Sequence, residues 1–135
     1  MLDLNKNDPA KIAELGYEFQ VILPDGTETE AKIKVRGKNS KQVQAFSRRL
    51  IQEMNQTDQV KRRRGKGDEP MTPQEAEDIA VRVAANRVIS WSGLGKDGVE
   101  IKFSEDAAED ILREYPFLRE QVMLESDNLL NFRFD

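Results

Sequence analysis

At 135 residues the chain has the length of one ordinary domain, and its 38% hydrophobic and 34% charged residues make a polar but foldable mix. It has no cysteine and no histidine, which removes disulfides, thiolate metal sites, cysteine nucleophiles and the side chain best suited to proton transfer near neutral pH. The net charge is -4, no apolar run approaches the roughly 20 residues that span a bilayer, and the opening MLDLNKNDPAK lacks the apolar core of a secretory signal; a soluble intracellular protein is expected.

Residues 1–16 read as a weakly structured lead-in, with Asp8-Pro9 offering a helix start for Ala10, Ile12, Ala13 and Leu15 before Gly16 punctuates. Tyr17, Phe19, Val21 and Leu23 then alternate with Glu18 and Gln20, the period of a half-buried strand. Pro24-Asp25-Gly26 is a turn, because proline presets one backbone angle and glycine accepts a positive one. Beyond it Ala31, Ile33 and Val35 alternate with charged residues, so residues 17–36 form a hairpin. A lone hairpin is marginal in water, so its apolar face must lie on other elements.

Asn39 or Ser40 caps the next helix, expected over residues 40–60, with Val43, Phe46, Leu50, Ile51 and Met54 on one face. It fades into QTDQVKRRRGKGDEP, whose glycines and proline predict an exposed basic loop over residues 61–71. Thr72-Pro73-Gln74-Glu75 is the strongest helix start in the chain: Thr72 caps, Pro73 sits where its missing N–H costs nothing, and Glu75 completes a capping box. Residues 72–135 then form a helical C-terminal half. Its first helix carries Ile79, Ala80 and Val83 on one side and Val81, Ala84, Ala85 and Val88 on another, the pattern of a central helix with several neighbours. The second reading of its end makes Val88 to Trp91 a short strand.

Gly93, Gly95 and Gly98 permit tight turns with Lys96-Asp97-Gly98 at the tip, and Val99 to Phe103 either pairs as a short strand or lies extended over the helices. Ser104 caps a helix that turns Ala107, Ala108, Ile111 and Leu112 inward. Tyr115-Pro116 is a corner, since proline there would cost a helical hydrogen bond. A last helix carries Phe117, Leu118, Val122 and Met123, and Leu129, Leu130, Phe132 and Phe134 follow. With no internal repeat and no long linker, the chain reads as a single α+β domain, mainly helical, with an N-terminal β-hairpin packed on helices.

Little here resembles a catalytic constellation. Glu105, Asp106, Glu109, Asp110 and Glu114 crowd one helix, but acidic residues in a first turn are what the helix dipole favours, and no histidine accompanies them. Gly93-Leu94-Gly95-Lys96 lacks the spacing of a phosphate loop, and Asp97 stands where that loop needs a hydroxyl. No catalytic, cofactor-binding or metal-binding residue is expected. The run Lys61, Arg62, Arg63, Arg64 and Lys66 is either a solvated loop or a grip for phosphates. Its lack of interleaved aromatics and the acidic net charge favour the first reading, or a salt-sensitive contact with an acidic protein. Trp91 is expected to anchor the core where the central helix ends, with a partner-facing role as the alternative. The apolar residues Leu129, Leu130, Phe132 and Phe134 either fold back over the domain or meet another chain, and are the candidate partner-binding residues.

The order of these features resembles the tail assembly chaperones of long-tailed, non-contractile bacteriophages. The resemblance rests on Trp91 and its glycine turn, the helix opening Phe103-Ser104-Glu105-Asp106-Ala107, and the final helix punctuated by Pro116. In the N-terminal half it includes the turn Pro24-Asp25-Gly26, the strand Ile33 to Arg36, and Gly37-Lys38-Asn39-Ser40 opening a helix. It covers most of the chain from Tyr17 to Phe134, through turns and core positions. It implies a non-enzymatic factor, with no cofactor, that binds the tape measure protein and keeps that long helical chain soluble until tail-tube subunits polymerise. Contact with the tail-tube protein and self-association would accompany this role, in the cytoplasm of an infected bacterium and outside the mature virion. Two rival readings are a structural virion component, such as a tail-completion or head–tail connector protein, and a small nucleic-acid-binding regulator.

Overall fold

The computed structural model describes residues 1–67 and 69–134. Asp8 accepts a hydrogen bond from the Ala10 N–H and opens helix α1 (Pro9–Leu15), so the lead-in holds a short helix whose Ala13 is buried. Strands β1 (Tyr17–Ile22) and β2 (Glu28–Val35) follow and pair antiparallel, with Tyr17 opposite Val35 and Phe19 opposite Ile33. Gly26 takes the positive φ, at 92°, that the turn between them requires, and its N–H donates to the Leu23 carbonyl.

Alternation decides the hairpin's two faces. Phe19, Val21, Ala31, Ile33 and Val35 point inward, and Glu18, Gln20 and Lys32 outward. The inner face shares its core with three of the helices that follow: α3 (Pro73–Arg87), α4 (Glu105–Glu114) and α5 (Pro116–Asp127) supply Ala84, Ile111, Leu112, Leu118 and Val122. The α+β class and the hairpin packed on helices are as expected. Helix α3 is central, touching α4, α5 and helix α2 (Lys41–Arg63), with Val81 and Ala84 fully buried. Ser40, Thr72 and Ser104 each cap a helix by accepting from the N–H three residues on.

Five expectations are corrected. The central helix does not carry through Val88 to Trp91; these residues begin strand β3 (Val88–Ser92), which pairs antiparallel with β2. The cause is non-local: β2 would otherwise present unpaired N–H and C=O groups, and the β-branched and aromatic side chains of Val88, Ile89 and Trp91 suit a strand. The supposedly helical C-terminal half therefore holds β3 and the two-residue strands β4 (Gly95–Lys96) and β5 (Val99–Glu100), joined over Asp97 (φ 51°) and Gly98 (φ 79°).

The basic run is not a loop through its whole length. Helix α2 continues to Arg63, and Gly65 (φ 72°) ends it: the Gly65 N–H donates to the Arg62 carbonyl and the Lys66 N–H to the Lys61 carbonyl. This is the left-handed glycine stop that satisfies the last carbonyls, and the three basic side chains before it lie where the helix dipole favours cations. Nor does the whole apolar face of α2 pack. Val43 and Leu50 are buried, whereas Ile51 is 58% exposed, and every residue from 51 to 60 is exposed. Glu75, finally, forms no capping box; its carboxylate pairs with Lys61 Nζ at 3.4 Å, tying α3 to the end of α2.

Candidate partner-binding surface

The four apolar residues after α5 do not behave alike. Asn128 Oδ1 accepts from the Leu130 N–H at 3.1 Å and opens a single 3-10 turn (Leu129–Asn131). The Asn131 amide then reaches back to the Glu125 carbonyl at 2.9 Å and its carboxylate at 2.7 Å, locking the turn onto α5. Phe132 turns inward. Its ring meets Tyr17 edge-on at 6.4 Å and lies so close to Gly37 that a Cβ there would stand 3.1 Å from two ring carbons. Leu129 (53% exposed), Leu130 (65%) and Phe134 (44%) face solvent. One of the four predicted residues is thus an anchor and three are presented.

The base beneath this segment is joined by a set of charged and polar contacts. Ser126, fully buried on α5, donates to the Arg36 carbonyl and accepts from Arg87 Nη1 at 2.8 Å, and the same nitrogen reaches Asp127 at 2.8 Å. Arg36 in turn gives Nη1 to the carbonyls of Asn86 (2.9 Å) and Val88 (3.1 Å) and Nε to Glu14 (3.2 Å). Glu14 also accepts the Ser40 hydroxyl. One network therefore joins α1, the start of α2, the α3–β3 junction and the end of α5, with Glu14, Arg36 and Arg87 each holding at least two partners.

A groove of about 460 Å³ runs beside the anchored ring, floored by Ala13 and Gly37 and walled by Pro9, Leu129, Phe132 and Phe134. Leu124, on the side of α5 away from buried Leu118 and Val122, is 68% exposed. Sequence reading passed over Leu124, although its place off the 118–122–126 line was the available signal. Lys38, Asn39 and Arg133 complete the lining of the groove, which is more apolar than polar.

The other singled-out residues lie elsewhere. Trp91 is half-buried, not a fully enclosed core anchor, because it sits on β3 at the sheet's edge. Its Nε1 donates to the Ile101 carbonyl at 2.8 Å, and Phe103 packs edge-on at 5.1 Å. Of the acidic residues, Glu114 pairs with Lys96. That hydrogen bond holds the Lys96 ammonium above the usual lysine value, while hydrogen bonds from Thr27 hold Asp25 below the usual carboxylate value. Neither group is part of the tail surface. Among the described residues no three potential metal ligands come together, and no helix is long and apolar enough to cross a membrane.

Residues 37–135 match the family model described as YdaY prophage protein, and the chain belongs to that family. It is therefore a phage-related protein. No curated protein and no solved structure matches it.

Proposed function

We propose that this protein is a tail assembly chaperone that binds the tape measure protein and keeps it soluble until the tail tube polymerises around it. The observation that carries the reading is the presentation of Leu129, Leu130 and Phe134 from a segment pinned by Phe132 and Asn131. Covering a side chain of this size is worth roughly 1.5–3 kcal/mol, so three exposed together favour reversible contact with the apolar face of another chain. Membership of a prophage family supports the phage setting of this reading, and the resemblance carried by Trp91, Phe103-Ser104 and Pro116 is what points to the tape measure protein as client.

Co-expression with the tape measure protein tests the proposal. The intact chain should keep that protein in the soluble fraction and co-purify with it. A chain lacking residues 129–135 should lose most of this effect while keeping a cooperative melt, because only Phe132 among the four packs against the domain. Retention of the protein in purified virions, with no effect on tape measure solubility, would replace this reading with that of a structural tail component.

A further inference from the structure

The charges of this chain are segregated. Residues 41–66 hold eight of its 21 Lys and Arg but only two of its 25 Asp and Glu, a net charge of +6, which leaves -10 on the remainder. The structure turns this into a shape. Lys41, Arg48, Asn55 and Arg62 recur every seven residues along α2, with Gln52 and Gln59 beside them, and form an exposed stripe in which Asp58, one turn before Arg62, is the one neighbouring carboxylate. At its end Arg62, Arg63 and Arg64 are all exposed, and exposed Ile51 flanks the stripe.

The complementary surface is on α4. Glu105, Asp106, Glu109 and Asp110 are exposed, and among the described residues none of them has a basic partner within ion-pair distance. The same holds for Arg48, Arg49, Arg62, Arg63 and Arg64. Every other part of α2 and α4 that carries a charge pair uses it within the fold: Glu53 with Arg82, Lys61 with Glu75, Arg113 with Asp78, Glu114 with Lys96. Glu105 and Glu109 share a cavity with Arg36, Arg49 and Arg82 of the same chain, so the unmatched sets are Asp106 and Asp110 on α4 and Arg62, Arg63 and Arg64 at the end of α2, opposite in sign and on different elements.

We infer that the basic end of α2 docks on the acidic face of α4 of a second copy of this chain. Because the two surfaces differ, the contact is head-to-tail and repeats: each copy offers one basic arm and one acidic face, so copies add into rings or open chains. Nucleic acid is the poorer occupant. The -10 on the rest of the molecule repels phosphate, and the one aromatic of α2, Phe46, lies under the Arg82 guanidinium at 5.9 Å and offers no stacking platform. Self-association also accompanies the chaperone reading, but the two surfaces named here rest on charge and exposure alone, and their salt response tests them apart from it.

Sedimentation velocity of the full chain tests it. The unmodified protein should associate with increasing concentration in low salt, and raising salt to about 0.5 M should weaken that association roughly tenfold or more, as screening demands of exposed charges. Two neutralised variants, Arg62→Ser/Arg63→Ser/Arg64→Ser and Asp106→Asn/Asp110→Asn, should each remain monomeric. Mixed in equal amounts, they should form a dimer and nothing larger, since only one arm and one face survive in the pair. A monomeric unmodified protein in low salt would overturn the inference, and so would association that persists or tightens in high salt, the signature of apolar contact through residues 129–134. A mixture that stays monomeric would overturn it as well, as would salt-sensitive binding of a duplex DNA oligonucleotide that the arm variant loses. The salt response of the unmodified chain decides the matter even if a variant fails to fold.

Discussion

Replacing Gly37 with alanine probes the joint between the presented segment and the domain. Gly37 is buried, its N–H donates to the Ala13 carbonyl at 3.0 Å, and an added Cβ would stand 3.0 Å from Ala13 Cβ and 3.1 Å from Cγ and Cδ2 of Phe132. Its φ is not in the left-handed region, so the cost is steric and not conformational. Three contacts this short must each open by several tenths of an ångström. Ala13 belongs to a capped helix tied to Glu14 and Arg36; Phe132 hangs from a single 3-10 turn and yields first. Its displacement forfeits part of the roughly 1.5–3 kcal/mol of a buried aromatic, in line with the roughly 1–3 kcal/mol typical of overpacking. A loss of about 2 kcal/mol lowers the Tm by roughly 6–10 °C for a domain of this length. Calorimetry of Gly37→Ala, Phe132→Ala and the double variant separates the terms. If Phe132 is the clashing group, Gly37→Ala should cost much less once Phe132 is gone, a coupling of roughly 1 kcal/mol or more. Strictly additive losses would refute the reasoning and place the strain on α1.

Gly65→Ala is the complementary case, since nothing stands within 4 Å of its Cβ position and its φ of 72° alone opposes a side chain; about 1 kcal/mol should be lost locally, seen as faster amide exchange at the end of α2 with little change in Tm. Trp91→Ala should destabilise by roughly 2–4 kcal/mol in urea titration, below the value for a fully enclosed tryptophan because the ring is half-buried but including its bond to Ile101. The folded Lys96 is raised above 10.5 by its hydrogen bond to Glu114, so the stabilisation it provides is complete below that pH and lost as pH climbs through the folded value. The Tm difference between the unmodified protein and Glu114→Gln should accordingly stay constant through neutral pH and shrink only above about 10.5; a difference that vanishes near pH 8 would assign it to something else.

What the sequence made legible was local. Thr72 and Ser104 cap the helices they were expected to cap, and of Asn39 and Ser40 it is Ser40 that caps α2, because a cap needs only a side-chain oxygen and an N–H three residues away. The hairpin faces followed from alternation alone. Val88 to Trp91 could not be decided locally, since Val81, Ala84 and Val88 continue a helical line until the unpaired edge of β2 claims them. The end of α2 was misplaced for a different reason: its stop signal, Gly65 after three basic residues, is present in the chain but sits inside a stretch whose charge reads as loop. Ile51 was assigned inward because its neighbours Leu50 and Met54 are apolar, yet it lies some 100° around the helix from Leu50, where no element covers it. In the candidate surface, the apolar composition of residues 129–134 was visible, but the division between Phe132 and the other three depends on Gly37 and Tyr17, about a hundred positions away.

The two surfaces are also separated by the fold in a way that makes their roles independent. The anchored Phe132 packs against Gly37, just before α2 begins at Lys41, whereas Arg62, Arg63 and Arg64 lie at the far end of that helix. At 1.5 Å per residue, 23 helical residues set these ends about 35 Å apart, several Debye lengths at physiological salt. Charges at the basic end therefore exert little force on a chain bound beside Phe132, and occupation of one end leaves the other open. A copy docked through its arm still presents Leu129, Leu130 and Phe134, so head-to-tail addition would multiply apolar contacts along a long client without any new site. Salt should then dissociate copies from one another before it releases the client, and neutralising Arg62, Arg63 and Arg64 should reduce how many copies a client carries while leaving each copy's own grip unchanged.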